Sequence, residues 1–197
     1  ARRLLAACVP PDRVVWRVAG VEADGDLFAG KAKRLPPPDP SAPPPKVPRR
    51  FLEKAGSTAL HSDPRRFDLL YRLLWRLQSA PRLIEDATDR DVLRLEALSR
   101  EVRRDIHKMR AFVRFREVES EDEGEPHYVA WFEPQHHILR TNAAFFTNRF
   151  ASMKWSILTP AGSLHWDGEK LHEGPPARRE DAPGEEPAED LWRSYYA

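Results

Sequence analysis

The sequence is short of cysteine, of clustered glycine, of net charge and of long apolar runs, and each shortage removes a class of function. Cys8 is the only thiol in 197 residues. That excludes an internal disulfide and leaves too few thiolates for a zinc or iron–sulfur centre built by this chain, and it fits a reducing, cytoplasmic setting. The 9 glycines are scattered singly, so neither the Walker phosphate loop nor the dinucleotide fingerprint occurs. No apolar run approaches the roughly 20 residues that span a bilayer, and "RRLLAACVPP" is too short and ends wrongly for a secretory signal. The expectation is therefore no membrane partner. The chain opens on alanine, which suggests a segment of a longer protein in which Arg2 to Ala7 completes a helix.

Charge is abundant but nearly balanced. Charged residues reach 32% against 41% hydrophobic ones, and the formal net charge is +1. A heavily ionic surface around a modest core follows. The balance hides segregation. Glu117, Glu119, Glu121, Asp122, Glu123 and Glu125 form one acidic run and Glu180, Asp181, Glu185, Glu186, Glu189 and Asp190 a second, while "RRDIHKMRAFVRFR" at 103–116 is basic.

Proline marks the organisation. "LLAACVPPDRVVWRV" reads as a helix end, a Pro-Pro stop and a short strand with Val14, Val15, Trp16 and Val18. "RLPPPDPSAPPPKVPRR" fixes φ and removes amide donors, so residues 35–50 are expected to be an extended connector. A helix follows with Ser62 or Asp63 as cap, Pro64 in its first turn, and Phe67, Leu70, Leu74 and Leu77 as a stripe. A longer helix starts near Asp89, with Val92, Leu95, Leu98, Val102, Ile106 and Met109 at steps of three or four. Its other face holds Arg100, Arg103, Arg104, His107 and Lys108.

"RAFVRFREV" alternates like a strand and pairs with "HYVAWFEP" across the acidic turn as an antiparallel hairpin. "QHHILRTNAAFFTNRFASM" returns to helical spacing, and "KWSILTP" and "SLHWDG" read as strands joined through Pro160, Ala161 and Gly162. The predicted fold is α+β: several helices on a small antiparallel sheet built from hairpins, in a single domain over 1–197 truncated at both ends. The segment 174–190 reads as an acidic tail and "LWRSYYA" as an apolar docking element.

The cations of the basic stretch point to a phosphate-facing surface, since lysine and arginine contacts release counterions from a nucleic acid. The competing reading is a solvated face neutralised by nearby carboxylates. Trp131, Trp155, Trp166, Phe145 and Phe146 could stack on bases or fill the core. His136 and His137 are adjacent, so on a helix they diverge by roughly 100° and seldom share one ion. No metal or catalytic residues are assigned. Ser163, His165 and Asp167 in "GSLHWDG" sit at alternate strand positions, which do not by themselves assemble a triad.

At "HKMRAFVRF", "AWFEPQHHILR", "FFTNRFASMKWSILTP", "HWDG" and "LWRSYY" the sequence resembles a bacterial domain family of unassigned function linked to DNA metabolism. Members of that family occur alone or fused ahead of a uracil-DNA glycosylase-like domain, and are encoded beside a radical-SAM protein. The resemblance implies a non-catalytic DNA-binding or accessory domain of a glycosylase-like repair protein. It puts DNA, the glycosylase-like domain and the radical-SAM protein among the partners. The chain would hold no cofactor, since any iron–sulfur cluster would belong to the fused domain. On this reading Arg104, His107, Lys108, Arg110, Arg114 and Arg116 contact the nucleic-acid backbone, with His136, His137, Arg140, Arg149, Lys154 and Trp155 in support. Two alternatives stand beside it: a protein-interaction module using the connector and acidic tail, and an enzyme of unknown reaction gathering His107, His136, His165 or Asp167 in a pocket.

Overall fold

The computed structural model describes residues 1–17, 35, 37, 41, 44–118 and 126–183. These form two compact units, 1–103 and 104–197 by chain position. Among the described residues there are five α-helices and one five-stranded sheet, an α+β fold as expected. No helix among them is long and apolar enough to cross a membrane.

The first unit contains α1 (Arg2–Ala6), α2 (Arg49–Thr58), α3 (Arg66–Leu77) and the start of α4 (Arg90–Phe112). Pro48 precedes α2 and its carbonyl accepts the amides of Phe51 and Leu52. Proline suits this place because a helix start leaves its first amides without intrahelical partners. The expected connector therefore ends sooner than residue 50, since Arg49 and Arg50 already belong to a helix. Phe51, Leu69, Leu73, Leu77, Ile84, Val92, Leu95 and Leu98 make one apolar cluster. The buried row of α3 is thus Leu69, Leu73 and Leu77, joined by Tyr71, whereas the expected Leu70 and Leu74 are only half-buried. Val14 to Arg17 lie outside the sheet, and Trp16 packs on Phe67 and Tyr71 at centroid distances of 5.9 and 6.0 Å. Val18 is outside the described residues.

Asp89 starts α4 as the sequence suggests. Its Oδ1 accepts the amides of Asp91 (3.0 Å) and Val92 (3.1 Å), and its Oδ2 accepts Arg76 Nη2 at 2.5 Å. Arg72 forks onto Asp91 with two bonds of 2.9 Å. Lys54 pairs with Glu96 and Arg94 with Asp63. His61 is buried, and its Nδ1 accepts the amide of Asp63 at 2.8 Å. The proton of the neutral ring therefore sits on Nε2, which faces Glu101 Oε2 at 2.9 Å.

The second unit holds the end of α4, the sheet and α5 (Leu139–Arg149). The strands are β1 (Arg116–Val118), β2 (His127–Trp131), β3 (Lys154–Thr159), β4 (Gly162–Trp166) and β5 (Leu171–Gly174), paired in sequence order. The β1–β2 and β3–β4 pairings are antiparallel as expected, but β2 runs parallel to β3. A parallel pair needs a crossover, and α5 supplies it. The basic stretch stays helical to Phe112 and becomes a strand only at Arg116, so Val113 to Phe115 form a short link rather than the start of the strand.

One sheet face carries Trp155, Ile157 and Leu164, all buried, with Phe115 and Phe146 against Trp155 and Phe150 against both phenylalanines, at 5.1–6.3 Å between centroids. Strand alternation and register put Arg116, His127, Lys154, Ser156, His165 and His172 on the opposite face. The β4–β5 turn is built by Asp167, whose Oδ1 accepts the amides of Glu169 (2.8 Å) and Lys170 (2.6 Å). Gly168 has φ of +101°, a conformation that side-chain-bearing residues rarely adopt. The same amides, with His172 beyond them, hold the Asp167 carboxyl down at about 2. The first part of the expected acidic tail is ordered against the sheet: the Ala177 amide bonds Thr159 O and a 3₁₀ turn spans Arg179–Asp181. Residues 119–125 of the acidic turn, 184–190 of the tail and the "LWRSYYA" element are outside the described residues.

Candidate nucleic-acid interface

The buried residues of α4 in the second unit are Asp105 and Met109. At 100° per residue, Arg104, His107 and Lys108 point away from that side. All three are exposed, and so is Phe112, at 65%. Arg104, Lys108 and Phe112 follow one another at four-residue spacing, which stacks them along one edge of the helix. Among the described residues none of Arg104, Lys108, Arg110 and Arg114 has a carboxylate within ion-pair distance. The helix dipole favours cations only in the last turn. It accounts for Arg110 and partly for Lys108, but not for Arg104.

The remaining expected contacts sort by what holds them. Arg110 is exposed but anchored: its Nε donates to Asn142 Oδ1 at 2.7 Å and its guanidinium lies 4.8 Å from the Phe145 ring centroid. Asn142 is itself fully buried and also donates to Ile138 O (3.3 Å) and Met109 Sδ (3.1 Å). Arg114 turns back and donates to the carbonyls of Ala111 (2.7 Å) and Val113 (3.1 Å), closing the end of α4. Arg116 lies on β1 opposite Val129 and is half-buried. Arg140 is ion-paired with Glu173, and Arg149 lies 5.5 Å from the Phe150 ring centroid. Lys154 is half-buried on β3.

Trp155 corrects an expectation. It is 0% exposed, enclosed between the sheet and α5, so no base can reach it. Phe146 is equally enclosed, and Trp131, Trp166 and Phe145 are half-buried. Among the described residues the exposed aromatic is Phe112, which ends α4 and does not lie in the strand expected from "RAFVRFREV". A residue four positions after Lys108 on the polar edge of a helix is the signal that could have found it.

The histidines do not stand on a helix rim, because α5 begins only at Leu139. His136 is buried, and its amide donates to Asp105 Oδ2 at 2.9 Å, while His137 is exposed. His165 bonds Ser156 and Ser163, and Asp167 bonds His172. Ser163 and His165 do meet, at 2.8 Å, yet the Ser163 hydroxyl donates to Pro175 O at 3.1 Å. It therefore receives the imidazole proton rather than giving one up, the reverse of an activated nucleophile.

A family model described as a domain of unknown function, DUF4130, matches residues 64–197. The chain belongs to the DUF4130 family. The DUF4130 match takes in α3, all of α4, the complete sheet and α5, and leaves α1 and α2 outside it. No curated protein and no solved structure matches the chain. DUF4130 carries no activity in its description.

Proposed function

We propose that the domain binds single-stranded nucleic acid along the outer edge of α4, as a non-catalytic DNA-binding part of a uracil-DNA glycosylase-like repair protein in the cytoplasm. The observation that carries this reading is the row Arg104, Lys108, Phe112: two cations without carboxylate partners among the described residues, followed by a 65% exposed ring. Like charges four apart on a helix cost about 0.2–0.5 kcal/mol, and an exposed phenylalanine contributes little to the fold. Neither feature serves stability, whereas cations tracking phosphates beside an aromatic platform are what a single strand requires. Arginines elsewhere are used differently: Arg72, Arg76 and Arg94 each engage aspartates. The link to repair rests on the sequence resemblance.

The test is fluorescence anisotropy with a labelled oligothymidylate and with a duplex of equal length at low salt. The single strand should bind more tightly, and Phe112→Ala should weaken it about 5- to 150-fold, the loss of one stacked base. Absence of binding to either probe, or binding that Phe112→Ala and Arg104→Glu/Lys108→Glu leave unchanged, would overturn the proposal.

A further inference from the structure

On the sheet face opposite the aromatic core, four side chains from three strands join in one hydrogen-bonded chain. His127 Nε2 lies 2.9 Å from Ser156 Oγ, Ser156 Oγ lies 2.7 Å from His165 Nδ1, and His165 Nε2 lies 2.8 Å from Ser163 Oγ. The last link is a donation from Ser163 to Pro175 O at 3.1 Å. That carbonyl can only accept, and this fixes the direction of every other proton. Ser163 spends its hydrogen on Pro175, so it accepts from His165 Nε2–H. A neutral His165 then has a bare Nδ1, which accepts from the Ser156 hydroxyl. Ser156 Oγ in turn accepts from His127 Nε2–H, which leaves His127 Nδ1 as the unprotonated end.

We propose that His127, Ser156 and His165 form a one-proton relay across the sheet. A proton added to His127 Nδ1 releases the Nε2 proton to Ser156 Oγ, and Ser156 passes its own hydrogen to His165 Nδ1. His127 ends neutral as the opposite tautomer, His165 becomes the imidazolium, and the two links made by Ser156 Oγ are remade in the reverse sense, while His165 Nε2–H still donates to Ser163. No heavy atom has to move. The charge beside His127 favours this end point, while His172 opposes it. His127 is opposite Lys154 of β3 in register, and Arg116 of β1 shares the face. His165 faces His172 of β5, which is hydrogen-bonded to Asp167 Oδ2 at 3.2 Å. A cation on His165 thus stands farther from Lys154. A second proton finds no such arrangement: both rings would donate to Ser156 and two imidazoliums would flank one hydroxyl. Burial first, and then Lys154 for His127 and the neighbouring histidines for His165, hold both rings below the ordinary histidine range. With folded-state values depressed, the stability contributed by the chain is present above the unfolded histidine value and is lost as pH falls through the folded one.

Imidazole ¹⁵N NMR of the full chain, followed from pH 8 to pH 4.5, tests this. At high pH His127 and His165 should both read as Nε2–H tautomers. On the first proton uptake His127 should switch to Nδ1–H while His165 becomes charged, both below the ordinary histidine range. Ser156→Ala should abolish the tautomer switch and let the two rings titrate independently, and Ser156→Thr should restore it. A charged His127, or a His165 that carries its neutral proton on Nδ1, would overturn the relay. The wild-type spectra decide this even if Ser156→Ala fails to fold.

Discussion

Replacing Asn142 with alanine separates the cations that belong to the fold from those free to meet a ligand. Asn142 is fully enclosed, and its Oδ1 accepts the Arg110 Nε–H at 2.7 Å. A hydrogen bond to a charged group contributes about 1.5–3 kcal/mol. The vacated volume adds a packing loss, but two terms lighten the total. Arg110 is exposed and can turn to water, and Ile138 O keeps the backbone amide of Asn142 as a donor at 3.1 Å. The expected cost is about 2–3 kcal/mol, or roughly 4–12 °C in thermal midpoint for a chain of this size. Urea unfolding followed by circular dichroism reads it directly. Arg110→Ala should cost a similar amount, and the double variant should be less destabilised than the sum of the two, with a coupling of about 0.5–3 kcal/mol. Arg104→Ala and Lys108→Ala should each stay within about 0.5 kcal/mol of wild type. An Asn142→Ala protein as stable as wild type, or an Arg104→Ala as damaging as Arg110→Ala, would refute the division.

Asp89→Ala removes the α4 cap and an acceptor of Arg76, and should cost about 1–2 kcal/mol in urea unfolding. The Arg76 guanidinium and then the backbone amides hold the Asp89 carboxyl below the ordinary aspartate value. Its contribution is therefore complete above that value and disappears as acid protonates it, so wild type and variant should converge in stability at low pH. Gly174→Ala should disturb the sheet face: an added Cβ would crowd Ser163 Oγ and lie 2.7 Å from His165 Nε2, expelling a hydroxyl at about 1–3 kcal/mol. The His165 ¹⁵N signals should report the broken link. Leu95→Ala, at a site with 0% exposure, should cost about 2–5 kcal/mol in the same unfolding assay.

Local chemistry made much of this fold legible in the sequence. Asp89 before a clean three- and four-residue apolar rhythm located α4, and the Pro160–Gly162 turn between β-rich runs located β3 and β4. The failures are equally physical. The connector expected over 35–50 takes in the first two residues of α2, and the rest of that ten-residue helix carries no reading in the sequence, because proline density upstream and a solvent-facing Leu52 mask its apolar side. In α3 two leucine rows lie side by side, and periodicity alone could not say which turns inward. The parallel β2–β3 pairing leaves no local trace, since α5 and its flanking residues separate the two strands, and β5 is only four residues long. The basic stretch was visible as composition. That Arg110 binds Asn142, Arg114 closes its own helix and Trp155 is enclosed depends on contacts that no spacing encodes. The imidazole–serine chain was hidden for a further reason: "GSLHWDG" shows Ser163 and His165, but Ser156 and His127 arrive from other strands through sheet register.

The salt dependence of single-strand binding tests the central claim most directly. If Arg104 and Lys108 neutralise two phosphates, a plot of log affinity against log salt should fall with a slope of at least about −1.4. The Arg104→Ala/Lys108→Ala protein should lose about that much of the slope while keeping its thermal midpoint. A slope that the double substitution leaves untouched would place the phosphate contacts elsewhere and contradict the account.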